Sequence, residues 1–188
     1  MTVALGYGLV TCQRHPDDPR GWADLYDEAL ALAVLAERAG LDSVWVSEHH
    51  FVDDGHLPAL LPLLAAMAAV TDLVQLGTGL LLAPLHDPIR VAEDAAVVDL
   101  VSHGRLVLGL GLGWRTEEFE VLGVQQAERV ARLRRSVETL RAAWAGLPTR
   151  RGPGANGFGY VTPLPFEPGG PPLWIGALSE PGLRRAGE

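Results

Sequence analysis

Residues 40–51 read Gly-Leu-Asp-Ser-Val-Trp-Val-Ser-Glu-His-His-Phe, and this stretch decides the fold. Ahead of it, Trp22, Leu25, Tyr26, Ala29, Leu30, Ala33 and Ala36 recur at three- and four-residue steps, which places them on one face of a helix. Gly40 is the C-terminal stop of that helix. Ser43–Val46 is short, apolar and β-branched, as a buried strand requires. Glu48-His49-His50-Phe51 then falls just past the strand's C-terminal end. A helix leading into a buried strand that releases polar residues at its end is the repeating unit of a parallel α/β sheet.

The pattern extends in both directions. Residues 3–10 (VALGYGLV) read as a first strand, followed by the turn residues of HPDDPRG and a helix start at Asp18-Pro19. After a loop carrying Asp53, Asp54, Gly55 and His56, the segment from Pro58 to Val70 is apolar on nearly every side, as in a helix buried between a sheet and a neighbour. Val74–Leu82 is a third strand, Ile89–Val101 a helix ending at Ser102-His103-Gly104, and Arg105–Leu112 a fourth strand. Glu128–Trp144 is a long helix whose arginines form a solvated face. Residues 146–170 shift to Gly and Pro and read as an irregular excursion within one domain spanning 1–188. Leu173–Gly176 is a fifth strand and Ser179–Arg185 the opening of a helix. Four βα units and a fifth strand demand parallel strands with right-handed crossovers, which an open doubly wound sheet and a TIM barrel both satisfy. No G-x-G-x-x-G separates the first strand from its helix, so a Rossmann site lacks its main signal.

Composition narrows the function. A net charge of -8 without a basic stripe argues against nucleic acid. No run of 18 or more uncharged apolar residues is present and the N-terminus has no basic region before its apolar segment, so neither a membrane span nor a signal peptide is expected. A cytoplasmic protein handling a small molecule is the expectation. The single cysteine, Cys12, has no disulfide partner and reads as a small residue near a strand end, and no metal site is expected.

Four places carry chemistry, because functional groups of parallel α/β folds collect beyond the carboxyl ends of the strands. Glu48-His49-His50-Phe51 is the first. Gly77-Thr78-Gly79-Leu80 is the second: two glycines inside an apolar strand imply a bulge or a close approach to the backbone. The third is Gly109-Leu110-Gly111-Leu112-Gly113-Trp114, whose alternating glycines clear one face of the fourth strand for a flat ring. The fourth is Gly176–Pro181, where Ser179 and free N–H groups at a helix start can hold a phosphate. An ordinary helix cap by Ser179 explains the same residues.

In order and spacing these motifs resemble the bacterial-luciferase-like family of flavin- or deazaflavin-dependent oxidoreductases. The likeness runs through GLDSVWVSEHHF (40–51), LGTGLLLAPLHDP (76–88), residues 93–123 with their DLVSHGR and GWRTEEFEVLG runs, and PPLWIGALSEPGLRR (171–185). It implies a (β/α)8 TIM-barrel type of which about five of eight strands are present. Arg185-Ala186-Gly187-Glu188 falls early in the fifth helix, and a truncated gene product, a fragment, a natural short form and half of a split barrel all account for that.

The resemblance also assigns residues. His49 matches the family's active-site histidine, which assists proton transfer as reduced flavin reacts with oxygen, a task suited to the near-neutral pKa of an imidazole. Gly79-Leu80 matches a non-prolyl cis peptide that bulges against the isoalloxazine ring, and the ring is expected to rest near it and near Gly109, Gly111 and Gly113. Ser179 matches the cofactor-phosphate segment. Where luciferases proper carry a reactive cysteine followed by an arginine, this chain has Gly111 and Leu112, so light emission is not implied. The expected function is a monooxygenase using reduced FMN and molecular oxygen on a small organic substrate, with a flavin reductase as partner and a homo- or hetero-oligomeric assembly. A dehydrogenase or reductase using coenzyme F420, a non-catalytic flavin-binding subunit and an inactive fragment are the alternatives.

Overall fold

The computed structural model describes residues 3–149 and 159–187. Residues 150–158 of the expected 146–170 excursion lie outside the described residues. Five strands, β1 (Gly6–Val10), β2 (Ser43–Val46), β3 (Gln75–Thr78), β4 (Leu106–Leu110) and β5 (Leu173–Ile175), form one sheet in chain order, each parallel to its neighbour. Between them run α1 (Trp22–Arg38), α2 (Leu60–Val70), α3 (Pro88–Val101), α4 (Thr116–Val121) and α5 (Arg129–Trp144), and α6 (Glu180–Ala186) follows β5. Strands that neighbour in chain order and pair in parallel through helical crossovers curl toward a barrel rather than reversing as in a doubly wound sheet.

The core lies between the strands and the helices. Val44, Val46, Leu76, Leu106, Leu108 and Leu110 of the strands meet Ala33 of α1, Leu64 and Met67 of α2, Ala92 and Ala95 of α3, and Leu140 and Ala143 of α5. Small residues on the helices let the layers approach closely. α2 is apolar on most faces because it packs between α1, α3 and the sheet, and Leu60, Leu61, Leu63, Leu64, Met67 and Ala68 are all buried. None of the helices in the described residues is long and apolar enough to cross a membrane.

Two polar residues lock the strand entrances. Arg105 donates through Nη1 to Thr71 Oγ1 and the Val74 carbonyl, through Nη2 to the Ala68 and Thr71 carbonyls, and through Nε to the Ser102 carbonyl, at 2.7 to 3.1 Å. It thereby satisfies the carbonyls that the end of α2 leaves open. The carboxylate of Glu37 accepts the backbone N–H groups of Asp72, Leu73 and Val74 and fixes the approach to β3. The DLVSHGR run is therefore a structural joint.

Three expectations are corrected, and one short helix is added. α1 begins at Trp22, with Gly21 as its cap and Asp24 accepting the Gly21 N–H at 2.8 Å, while Asp18 holds the Arg20 guanidinium. β3 stops at Thr78 rather than Leu82, because the chain breaks its extended path at the Gly79-Leu80 peptide and makes only a single bridge, Leu81 to Leu110, beyond it. β4 ends at Leu110, two residues short of the expected end. The segment after Trp114 contains the short helix α4, too brief for a 3.6-residue period to show in the sequence.

Candidate functional site

The carboxyl ends of β2, β3 and β4 bring together two buried carboxylates and four histidines. β2 ends at Val46 and releases Glu48, His49 and His50, and α4 carries Glu118 to the same edge. Glu118 is 0% exposed, and its Oε1 lies 2.9 Å from His49 Nδ1 while accepting the His50 backbone N–H at 2.9 Å. A buried carboxylate on Nδ1 assigns the proton to that nitrogen and leaves Nε2 as the working end of the His49 ring. The ring is partly open to solvent, with Trp114 edge-on at 6.1 Å and His56 edge-on at 4.8 Å between centroids.

Glu48 is the second buried carboxylate. Its Oε1 lies 2.6 Å from both His50 Nε2 and His86 Nε2, and its Oε2 accepts the Leu82 N–H at 2.6 Å. Burial alone would raise its pKa. The hydrogen bonds from His50 and His86, the charge of His86 and the Leu82 N–H outweigh that and hold the carboxyl at about 2. The same carboxylate pushes His50 upward against the effect of burial. Glu48 thus ties the end of β2 to the loop after β3, and in particular to the chain just beyond Leu80. Its oxygen and the two imidazole nitrogens lie within 4.8 Å of one another, the grouping among the described residues that a metal ion can use. Their mutual hydrogen bonds satisfy them without one, and no ligand role is assigned to them.

The glycines of the three strands have definite neighbours. The Gly79-Leu80 peptide is cis. The Leu80 side chain lies across β4 and β5: a Cβ on Gly109, Gly111 or Gly176 would stand 2.9, 3.1 or 2.1 Å from it. Gly77 makes room for Trp45 of β2, whose ring stacks on Trp174 of β5 at 4.9 Å. The face cleared by Gly109 and Gly111 is therefore surfaced by Leu80. Gly113 has a φ of +70° and backs onto Phe119, so it serves the turn that leads to α4. Ser179 caps α6, its Oγ accepting the Gly182 N–H at 3.3 Å, as the plain cap reading expects. Cys12 is buried, and burial together with the charge of Glu28 pushes its thiol up to about 11, which suits an inert packing residue.

The structure therefore groups His49 with Glu48 and joins their segment to Leu80 through Leu82, while Gly109 and Gly111 lie under Leu80. Sequence reading missed Glu118 and His86. Glu118 stands 69 residues from His49 on a six-residue helix, and His86 stands 38 residues from Glu48. The signal available was the acidic pair Glu117-Glu118 shortly after a strand end.

A family description for luciferase-like monooxygenases matches residues 5–188. The chain belongs to the luciferase-like monooxygenase family. Within it, the chain is 31% identical over 175 residues to the oxygenase component of a flavin-dependent trigonelline monooxygenase from Acinetobacter baylyi, covering 91% of this chain and 48% of that protein. It is 40% identical over 119 residues to an F420-dependent glucose-6-phosphate dehydrogenase from Amycolatopsis mediterranei, covering 60% of this chain and 36% of that one. The crystal structure of monooxygenase RslO1 from Streptomyces bottropensis superposes with a TM-score of 0.81 at 28% identity, over 93% of this chain and 53% of that one. The chain spans about half the length of these two monooxygenases. As in other luciferase-like proteins the fold is of the (β/α)8 barrel type, with five parallel strands in the described residues.

Proposed function

We propose that this luciferase-like chain carries the proton-transfer and ring-binding part of an oxidoreductase site that takes reduced FMN and molecular oxygen to a small organic substrate. The observation that carries the reading is His49: its Nδ1 is held by Glu118 on a carboxylate with no solvent exposure, and its ring stands at the open ends of β2 and β4. The residues fit a flat tricyclic ring. Gly109 and Gly111 strip one face of β4 of side chains, Leu80 supplies an apolar surface over them, and Glu48 fixes the backbone at Leu82, two residues on. The resemblance assigns the cofactor phosphate to Ser179, whose Oγ here takes the Gly182 N–H.

A reduced flavin, when bound, supplies the electrons. His49 holds or moves the proton at Nε2, because Nδ1 is committed to Glu118. Leu80 orients the ring and excludes water from its face, and Trp114, 72% exposed beside His49, offers an apolar wall to the substrate. The relative named as an oxygenase component supports a separate flavin reductase as the source of reduced flavin.

A second reading replaces FMN with coenzyme F420 and oxygen chemistry with hydride exchange. The 40% identity to an F420-dependent dehydrogenase favours it, and both cofactors present a tricyclic ring to the same residues. Fluorescence titration of the purified protein with FMN and with F420 tests both. Saturable binding of one of them is expected, and failure of both at high concentration contradicts the proposal.

A further inference from the structure

The loop that follows His49 returns a second histidine to it. His56 meets the His49 ring edge-on at 4.8 Å with the planes 76° apart. The loop is built to hold it there. Its N–H donates to Asp54 Oδ1 at 3.0 Å, Asp54 is in turn held by the Gln13 side chain at 2.6 Å, and the Arg14 N–H donates to the Asp54 carbonyl at 2.8 Å. Leu57 closes the loop, donating to the Thr11 carbonyl and accepting from the His49 N–H. Gly55, at a φ of +73°, packs against Trp22, whose other neighbour is the Arg14 guanidinium.

Two polar atoms around His49 are buried without a partner among the described residues: His56 Nε2 and Glu118 Oε2. Nε2 of His56 is thus a buried ring nitrogen without a hydrogen-bond partner, and buried polar atoms in folded proteins are rarely left so. The groups that act on it are His49 from the end of β2, Glu118 from α4, and Asp54 from its own loop, with Arg115 acting on Asp54. Burial first and the charge of His49 second press His56 toward the neutral form, while Asp54 and Glu118 oppose them.

We propose that His56 is a second acid–base group of this site, a positioning residue that acts through His49. While His56 is neutral, Glu118 holds His49 and the His50 N–H without competition from it. A proton arriving on His56 Nε2 turns an acceptor into a donor, in the field of a carboxylate that still has one oxygen without a donor. It then competes with His49 for Glu118 and sets a second imidazolium against the first. The pair carries no more than one positive charge in its working state, and a proton that makes both rings imidazolium switches the site off from the acid side. This rests on the reading of His49 as the proton-transfer group, but its first test, a titration, does not depend on turnover.

The test is a side-chain NMR titration of the histidines in the whole protein, comparing wild type with His49→Gln. The wild-type His56 midpoint is expected below 6.5, rising by on the order of one pH unit when the His49 charge is removed. An unmoved midpoint, or a His56 already charged in wild type at neutral pH, overturns the proposal. His56→Asn supplies an independent arm, because it keeps a short polar side chain on the loop and deletes the base. If His56 only braces the loop, this variant keeps the wild-type pH–rate profile with its acid limb, and the proposal fails. The proposal requires the acid limb to disappear or move, with cofactor affinity unchanged. Loss of cofactor binding in the wild type would instead count against the oxidoreductase reading and leave the titration result standing.

Discussion

His49 Nδ1 and Glu118 Oε1 lie 2.9 Å apart although 69 residues separate them in the chain. The contact joins the end of β2 to α4, and the same oxygen takes the N–H of His50. Glu118→Gln keeps the size and one acceptor but removes the charge that holds His49 Nδ1–H. Turnover is expected to fall by about tenfold to a hundredfold, within the range that positioned acid–base groups contribute, with cofactor affinity nearly unchanged. Steady-state kinetics beside a fluorescence titration separate the two effects, and a parallel loss of affinity would show that Glu118 shapes the ring site instead.

Glu48 gives stability a defined acid edge. Its carboxyl is held at about 2 in the folded chain against an ordinary 4.5, so its contribution is fully present above 4.5 and disappears as pH falls toward 2. The difference corresponds to about 3 kcal/mol, and the raised His50 is the other end of the same pair rather than a second contribution. On the His50 side the sign is reversed: the pair weakens as pH rises through the folded midpoint, above 6.5. Denaturant unfolding between pH 2 and 8 measures both limbs, and Glu48→Gln should flatten them.

Arg105 is expected to matter for folding rather than catalysis. Arg105→Ala leaves the carbonyls of Ala68, Thr71 and Val74 without this donor and should cost about 2–4 kcal/mol in thermal or denaturant unfolding. Arg105→Lys recovers only part of this, because one ammonium cannot reproduce the guanidinium fork.

The glycines of β4 differ in what an added methyl group would meet. On Gly109 it would stand 2.2 Å from the Thr78 carbonyl oxygen, a backbone atom, whereas on Gly111 it meets the Leu80 side chain, with Cδ1 at 3.1 Å and Cβ at 3.2 Å. Gly109→Ala should destabilise by about 1–3 kcal/mol or prevent folding, and Gly111→Ala should fold with a smaller loss. Melting curves of the two variants decide it, and equal behaviour would mean that the strand ends are more adaptable than their packing indicates.

Much of this architecture was legible in the residues. Ser43–Val46 occupies the strand that its apolar, β-branched composition expects, and the resemblance placed an unusual peptide at Gly79-Leu80, where one is found. At the start of α1 the miss is local: Asp18-Pro19 and Gly21 with Asp24 offer competing helix starts, and the structure uses the second. At the site the deciding contact is remote, and the spacing of Glu118 says nothing of His49 until β4 and α4 carry it there. The glycine alternation of β4 showed that a face was cleared, but only the fold shows that Leu80 is what lies across it.

The proposed proton transfer at His49 is measured by comparing wild type and His49→Gln at saturating cofactor, following oxidation of reduced FMN or hydride exchange with F420. Unchanged cofactor binding and a loss of turnover on the order of a hundredfold or more are expected. Equal turnover in the two proteins would rule out His49 as the proton-transfer group.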